Sequence, residues 1–304
     1  MTTIGTSELA VILGIPRRKN DGEPYTSAVE LWARMAGLLV RYESSSGPDA
    51  ELGHWFEPAV LNRYASERGL VWGQTILLGT PIDQPGTTAP GIPWHVHFDG
   101  YNRRDNCPAE AKCPRTLERF GDAGTDQVPP EYAAQLVGQV AIAHRLWGAD
   151  HADLAAMARA PDWNDRRTWA TYTLERDPGV EADVIGAVSA WIERHVETGI
   201  PPEPDGSESA AYALRRMYRV RDGAAMDATD TDLEAFRKLL SLRSVREDIA
   251  GHLAEVEQQI QIRMAESTEL VDPQTGRTLV TWRANAKGTR IFLVKSKSNQ
   301  REAA

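Results

Sequence analysis

Two neighbouring strand-like segments constrain this chain more than any other feature. In residues 93–99 the apolar Trp94, Val96 and Phe98 alternate with His95, His97 and Asp99, and Gly100 follows as a turn signal. Residues 109–113 read as the next strand. Side chains two apart on a strand share a face, so Glu110 and Lys112 project together, and Asp99 at the end of the preceding strand can meet them. Carboxylates gathered at one spot suit a hard divalent cation, and an amine beside them suits the charge that builds during hydrolytic attack. Glu57 on an upstream helix is a further candidate ligand, and Gln135 on the helix that follows could touch the attacking water or the lysine.

Length and composition leave room for this chemistry. The chain has 304 residues, enough for a large domain with an appendage, and is 41% hydrophobic and 25% charged. No apolar run approaches membrane-spanning length and no signal-peptide pattern opens the sequence, so a cytoplasmic location is expected. Cys107 and Cys113 are the only cysteines, too few for a disulfide framework or a four-thiolate cluster. The net charge of −9 is unevenly spread: residues 215–304 hold 16 Lys/Arg against 13 Asp/Glu, and residues 277–301 hold seven basic side chains and no acidic one. An acidic total therefore does not exclude a phosphate-rich partner.

The pattern predicts a helix over 7–14, with Ser7 as N-cap and Gly14 as stop, and further helices over 28–37 and 51–68. Strands follow around 69–78 and in the two segments above. Pro129-Pro130 opens a helix over 131–147, followed by strands at 152–158 and 169–175 and a helix over 182–198. Trp32, Trp55, Trp147 and Trp191 sit in apolar helix patterns and are expected in the core. Helices around a mixed sheet of about five strands make an α/β fold. The Gly- and Pro-rich stretch 199–206 suggests a boundary, giving domains 1–202 and 203–304. Beyond it, Leu242, Ile249 and Val256 recur every seven residues with Leu253 and Ile260 between them, a seam for packing on the body of the protein or in a helical hairpin. A basic two-stranded ribbon over 278–284 and 288–295 closes the chain.

Taken in order, several motifs resemble one family: Gly5-Thr-Ser-Glu-Leu-Ala-Val-Ile-Leu-Gly14, Gly53-His-Trp-Phe-Glu-Pro58, Phe98-Asp-Gly100, Ala109-Glu-Ala-Lys-Cys-Pro114, Tyr132-Ala-Ala-Gln135 and Leu174-Glu-Arg-Asp177. They are similar to the YqaJ-like viral recombinases, relatives of phage lambda exonuclease within the PD-(D/E)XK superfamily. The resemblance implies a restriction-endonuclease-like core with a C-terminal helical and β-ribbon appendage. It implies Asp99, Glu110, Glu57 and the backbone carbonyl of Ala111 as ligands of Mg²⁺ or Mn²⁺, two ions in all. Lys112, its pKa lowered by the metal, would act on the water with help from Gln135.

It further implies a double-stranded DNA end as substrate, digestion of the 5′-ended strand, a single-strand annealing protein as partner, and a ring-shaped homotrimer. Ser7 matches the position that meets a DNA 5′-phosphate, although no arginine precedes it as relatives commonly have; Arg17, Arg18 or Lys19 are substitutes. His97, where relatives read Ser-Pro-Asp-Gly, and Arg115 are further candidates for phosphate contact. Two rivals share the fold: a structure-specific endonuclease, including the CRISPR-adaptation type that normally carries four cysteines, and an inactive protein that only binds DNA ends.

Overall fold

The computed structural model describes residues 4–19, 22–39, 48–71, 75–77, 86–161, 165–219, 223 and 225–295. It divides into two units, Met1–Arg221 and Asp222–Ala304. The first unit begins with β1 (Ile4–Gly5), a 3-10 turn Thr6–Glu8, α1 (Leu9–Ile12), α2 (Ala28–Met35) and α3 (Pro48–Glu67). Then come β2 (Thr75–Leu77), β3 (Trp94–His95), β4 (Gly100–Asn102), β5 (Cys107–Lys112) and α4 (Pro130–Trp147). β6 (His151–Met157), β7 (Trp169–Glu175), α5 (Pro178–Trp191), a π-helical stretch Ile192–Glu197 and α6 (Glu208–Met217) complete it.

Five strands form a mixed sheet in the order β2-β4-β5-β6-β7. β5 and β6 are parallel, and the other three pairings are antiparallel. A parallel pair needs a crossover, and α4 supplies it. Alternate residues of the central strands face opposite layers. Ala109 and Ala155 pack with Val60, Leu61 and Tyr64 of α3, while Leu154 and Ala156 pack with Tyr132, Leu136 and Val140 of α4. The result is a mixed sheet between α3 and α4. Pro130 in the first turn and Gly148 in a left-handed conformation (φ +72°) set the ends of α4.

Several expectations change. The alternating segment 93–99 is not one strand of the sheet. Trp94 and His95 pair in parallel with Ile4 and Gly5, Val96 bridges to Thr87, and sheet pairing starts only at Gly100. The alternation still reports burial: Trp94, Val96 and Phe98 are all buried, as members of the cluster that joins α4 and α5. Asp99 thus stands at the entry to β4 instead of the end of a strand. Ser7 is not an N-cap; Gly5 holds that place, its N–H donating to Glu8 Oε2 at 2.9 Å.

Trp32 is buried, but Trp55 is 76% exposed because it lies off the side of α3 that carries Val60, Leu61 and Tyr64. Trp147, at the end of α4, is half-exposed against Tyr101. The boundary between units falls after α6 and not at residue 202. The reason is packing: Ala210 and Ala213 of α6 sit on Val29 of α2, and Ser209 Oγ accepts from the Ser27 N–H at 2.8 Å.

The second unit holds α7 (Asp230–Met264) and a three-stranded antiparallel sheet. Its strands are β8 (Glu269–Val271), β9 (Thr278–Ala284) and β10 (Arg290–Val294). β8 was not foreseen; it turns the expected ribbon into a sheet. Two of the ribbon's basic side chains are engaged locally. Arg290 stacks on Trp282 at 3.7 Å and donates to Ala265 O, and Arg283 pairs with Glu269. The ribbon's basic residues beyond 295 lie outside the described residues.

Candidate active site

β5 sets the chemistry. Glu110 and Lys112 leave the strand on its α4 side and pair with each other. Glu110 is 2% exposed, a placement a carboxylate tolerates only when its oxygens are satisfied. Gln135 Nε2 donates to Glu110 Oε1 at 2.7 Å, and Gln139 Nε2 donates to Glu110 Oε2. The Tyr132 ring lies 5.2 Å from the Lys112 ammonium. One face of α4 thus grips the carboxylate and the amine together.

Asp99 comes from the entry to β4, the strand beside β5. Its Oδ2 accepts the Ala111 N–H at 2.9 Å. Burial lifts the Asp99 pKa well above the usual carboxylate range, and repulsion from Glu110 and Glu57 adds to this. Glu57 projects from α3, where the next residue is Pro58 within the helix. Its pKa is raised too, first by burial and then by Glu110, against the opposing pull of His54, whose Nδ1 lies 3.7 Å from Glu57 Oε2. Burial pulls the Lys112 ammonium down, but Glu110 and Asp99 outweigh it and hold the amine above its ordinary value. The downward shift expected beside a metal is therefore not a property of the protein groups alone.

Glu57, Asp99, Glu110, Ala111, Lys112 and Gln135 line one cleft of about 490 Å³. Ser7, Arg17 and His97 open onto the same cleft, with Arg17 stacked on Tyr25 at 4.9 Å. Arg18 and Arg115 do not reach it. Arg18 is turned back to Gly22 O at 2.7 Å, and Arg115 is an exposed residue past the end of β5. Gln135 contacts Glu110 instead of the lysine.

Sequence reasoning missed Gln139, Arg34 and Arg159. Gln139 was legible in principle, four residues from Gln135 and so on the same helix face. Arg34 pairs with Glu8 at 2.8 Å beside Ser7, and Arg159 follows β6; both line the cleft, but nothing in their local sequence marks them. Gly138 explains how the Ser7 turn gets there. A Cβ at this position would come within 2.4 Å of Leu9 and 2.9 Å of Thr6, so only glycine lets the N-terminal segment lie against α4.

The donor set fits a hard divalent cation. Glu57, Asp99 and Glu110 face one cleft with a single lysine among them, and the Glu57 and Asp99 carboxyls are pushed up, by burial first and by neighbouring carboxylates second. Glu57, Asp99 and Glu110 would hold the ion, which when bound polarises a phosphoryl oxygen and lowers the pKa of water.

Among the described residues a different trio, Cys107, His151 and Asp153, brings its ligand atoms within 4.8 Å of one another. Asp153 is already saturated there. It accepts from Tyr64 at 2.6 Å and Thr173 at 2.6 Å and pairs with Arg68 at 2.9 Å. Burial pushes the neighbouring Cys107 thiol up to about 12. This group is a lock tying α3, which carries Glu57, to β6 and β7.

The sequence profile of the YqaJ-like viral recombinase domain matches residues 1–146. Over these residues the chain is similar to a YqaJ-like viral recombinase domain. The match contains Glu57, Asp99, Glu110, Lys112, Gln135 and Gln139. An alkaline exonuclease (LHK-Exo) from Laribacter hongkongensis in complex with dAMP is 20% identical, with a TM-score of 0.46 over 65% of this chain and 89% of that one. A second structure of LHK-Exo is 21% identical with a TM-score of 0.44 over the same shares. A phage-related exonuclease from Haemophilus somnus 129PT is 15% identical, with a TM-score of 0.42 over 66% of this chain and 95% of that one. No curated protein matches the chain.

Proposed function

We infer that this protein is a Mg²⁺- or Mn²⁺-dependent exonuclease that digests linear double-stranded DNA from its ends. One observation carries the reading: three carboxylates and a lysine, drawn from α3, the β4 entry and β5, line a single cleft. Carboxylates that hold a metal against phosphate, with a lysine at the attacking side, suit phosphodiester hydrolysis. Gln135 and Gln139 hold the Glu110 carboxylate in place, and the Lys112 ammonium, now paired with Glu110 Oε1, gives way to the ion there. Lys112 orients the attacking water. Arg17 and Arg159 bring cationic side chains to the cleft wall for a phosphate backbone, while Arg34 is paired with Glu8.

Digestion of the 5′-ended strand, a 3′ overhang handed to a single-strand annealing protein, and a homotrimer around DNA complete the proposal, on the strength of the family. Purified protein incubated with end-labelled linear duplex, with and without a 5′-phosphate, in Mg²⁺ or EDTA, tests it. Mononucleotide release from the 5′-labelled end, abolished by EDTA, is the expected result. Cutting of a covalently closed circle would instead mark an endonuclease.

A further inference from the structure

We propose that α7 is a self-association helix that pairs antiparallel with α7 of a second copy of this chain. The helix is well specified: the Thr229 hydroxyl accepts the Asp232 N–H, and the Asp232 carboxylate accepts the Thr229 N–H in return. It then runs 35 residues, about 52 Å at 1.5 Å per residue. Among the described residues its seam side chains are largely exposed. Leu239, Leu242, Ile249, Leu253 and Val256 are between 44% and 62% exposed, although they alternate at the three- and four-residue steps of a coiled-coil seam. A lone helix of mixed composition depends on packing along such a stripe, so the seam needs an occupant.

The charges flanking the seam choose the occupant and its direction. Written as heptads, Leu239, Arg246, Leu253 and Ile260 occupy a, and Leu242, Ile249 and Val256 occupy d. In a parallel pair Lys238 at g would face Arg243 at e of the other chain, and the two Arg246 side chains would share a core layer. Both contacts are repulsive.

Antiparallel pairing about Gly251 removes them. It sets Leu253 against Ile249 of the second copy, and Arg246 beside Val256 and Glu257 of the second copy. It also places Arg243 opposite Glu257 of the second copy, twice over by symmetry. Between residues 237 and 257 the helix is complementary to itself when reversed: Arg237, Lys238, Arg243 and Arg246 come first, and Glu247, Asp248, Glu255 and Glu257 follow.

Sedimentation equilibrium of the full chain at tens of micromolar tests this. The wild-type mass should be twice that of the Leu242→Glu, Ile249→Glu double variant, whatever further assembly the first unit makes. Those substitutions could also unwind the helix, so charge reversal provides the second arm. Arg243→Glu alone and Glu257→Arg alone should each weaken the pairing about tenfold, and both together in one chain should restore it. A wild-type mass that the seam variants do not change overturns the proposal, leaving the seam covered within its own chain. Tighter association of Arg243→Glu overturns it as well, because only in a parallel pair would the new carboxylate face Lys238 of the other copy.

Discussion

Helices α4 and α7 solve the same problem in opposite ways. In α4, 11 of 18 residues are buried, among them Gln135 and Gln139, and the helix is wedged between the sheet, α5 and the N-terminal segment. In α7, 35 residues long, Met264 is the only buried residue. Yet α7 also carries an apolar seam, Leu239, Leu242, Ile249, Leu253 and Val256, which stays exposed. A helix covered on several sides needs no stripe, and a helix with a narrow stripe awaits one partner. Substitutions in the first unit should therefore cost far more than like substitutions in α7, and the contrast can be tested at four levels.

The largest effect belongs to the cleft. Asp99→Ala and Lys112→Ala should each lower degradation of linear duplex about 10²–10⁴-fold while the fold persists. Far-ultraviolet circular dichroism of each variant verifies the fold, and activity near wild type in either would remove the assigned site. Next comes the lock beneath α3. Asp153→Ala strands the Arg68 guanidinium and the Tyr64 and Thr173 hydroxyls, and should cost about 3 kcal/mol in urea unfolding. Asp248→Ala, on the exposed α7, should stay within about 0.5 kcal/mol. Equal costs at the two aspartates would erase the contrast between the regions.

Gln139→Leu is a subtler probe of the α4 grip. It keeps the volume but leaves Glu110 Oε2 without its amide donor. Turnover should fall about tenfold, the worth of one hydrogen bond to a charged group. Gln139→Glu should be worse, because it brings a fourth carboxylate to a site already crowded with negative charge. If Leu and Glu at this position behave alike, Gln139 fills space and does not position the carboxylate.

Much of the cleft was legible before any coordinates. Period-two alternation gave Glu110 and Lys112 a common face, and helix-then-strand order brought Glu57 and Gln135 to the same place. The strand through 93–99 was misread because alternation reports which side chains are buried, whatever the backbone pairs with; here it pairs with Ile4–Gly5 and Thr87. Arg34 and Arg159 were invisible because their role comes from long-range packing that brings α2 and the end of β6 to one wall. Arg18 and Arg115 show the converse: being basic and close in sequence to a motif does not aim a side chain. The place of α6 was hidden for a similar reason, since the Pro-rich stretch before it looks like a linker, while Ser209 and Ala213 fasten the helix to α2.

The smallest expected effect makes the sharpest comparison, because one substitution should change sign between the two helices. Glycine inside a helix costs about 1 kcal/mol relative to alanine, so Gly→Ala gains that amount wherever a methyl group fits. At Gly251 of α7 a Cβ would meet nothing within 4 Å, and the position lies on the side away from the seam. Gly251→Ala should stabilise by about 1 kcal/mol and leave self-association untouched. At Gly138 the same methyl would press on Leu9, which is 0% exposed and has no free space to retreat into. Overpacking of about 1–3 kcal/mol then outweighs the gain in propensity, and Gly138→Ala should be a net loss. The added methyl would also push the Thr6–Glu8 turn off α4, carrying Ser7 out of the cleft, so DNA binding should weaken along with stability. Urea midpoints that move the same way for both variants would show that the close contact of α4 with the N-terminal segment does not exist in solution.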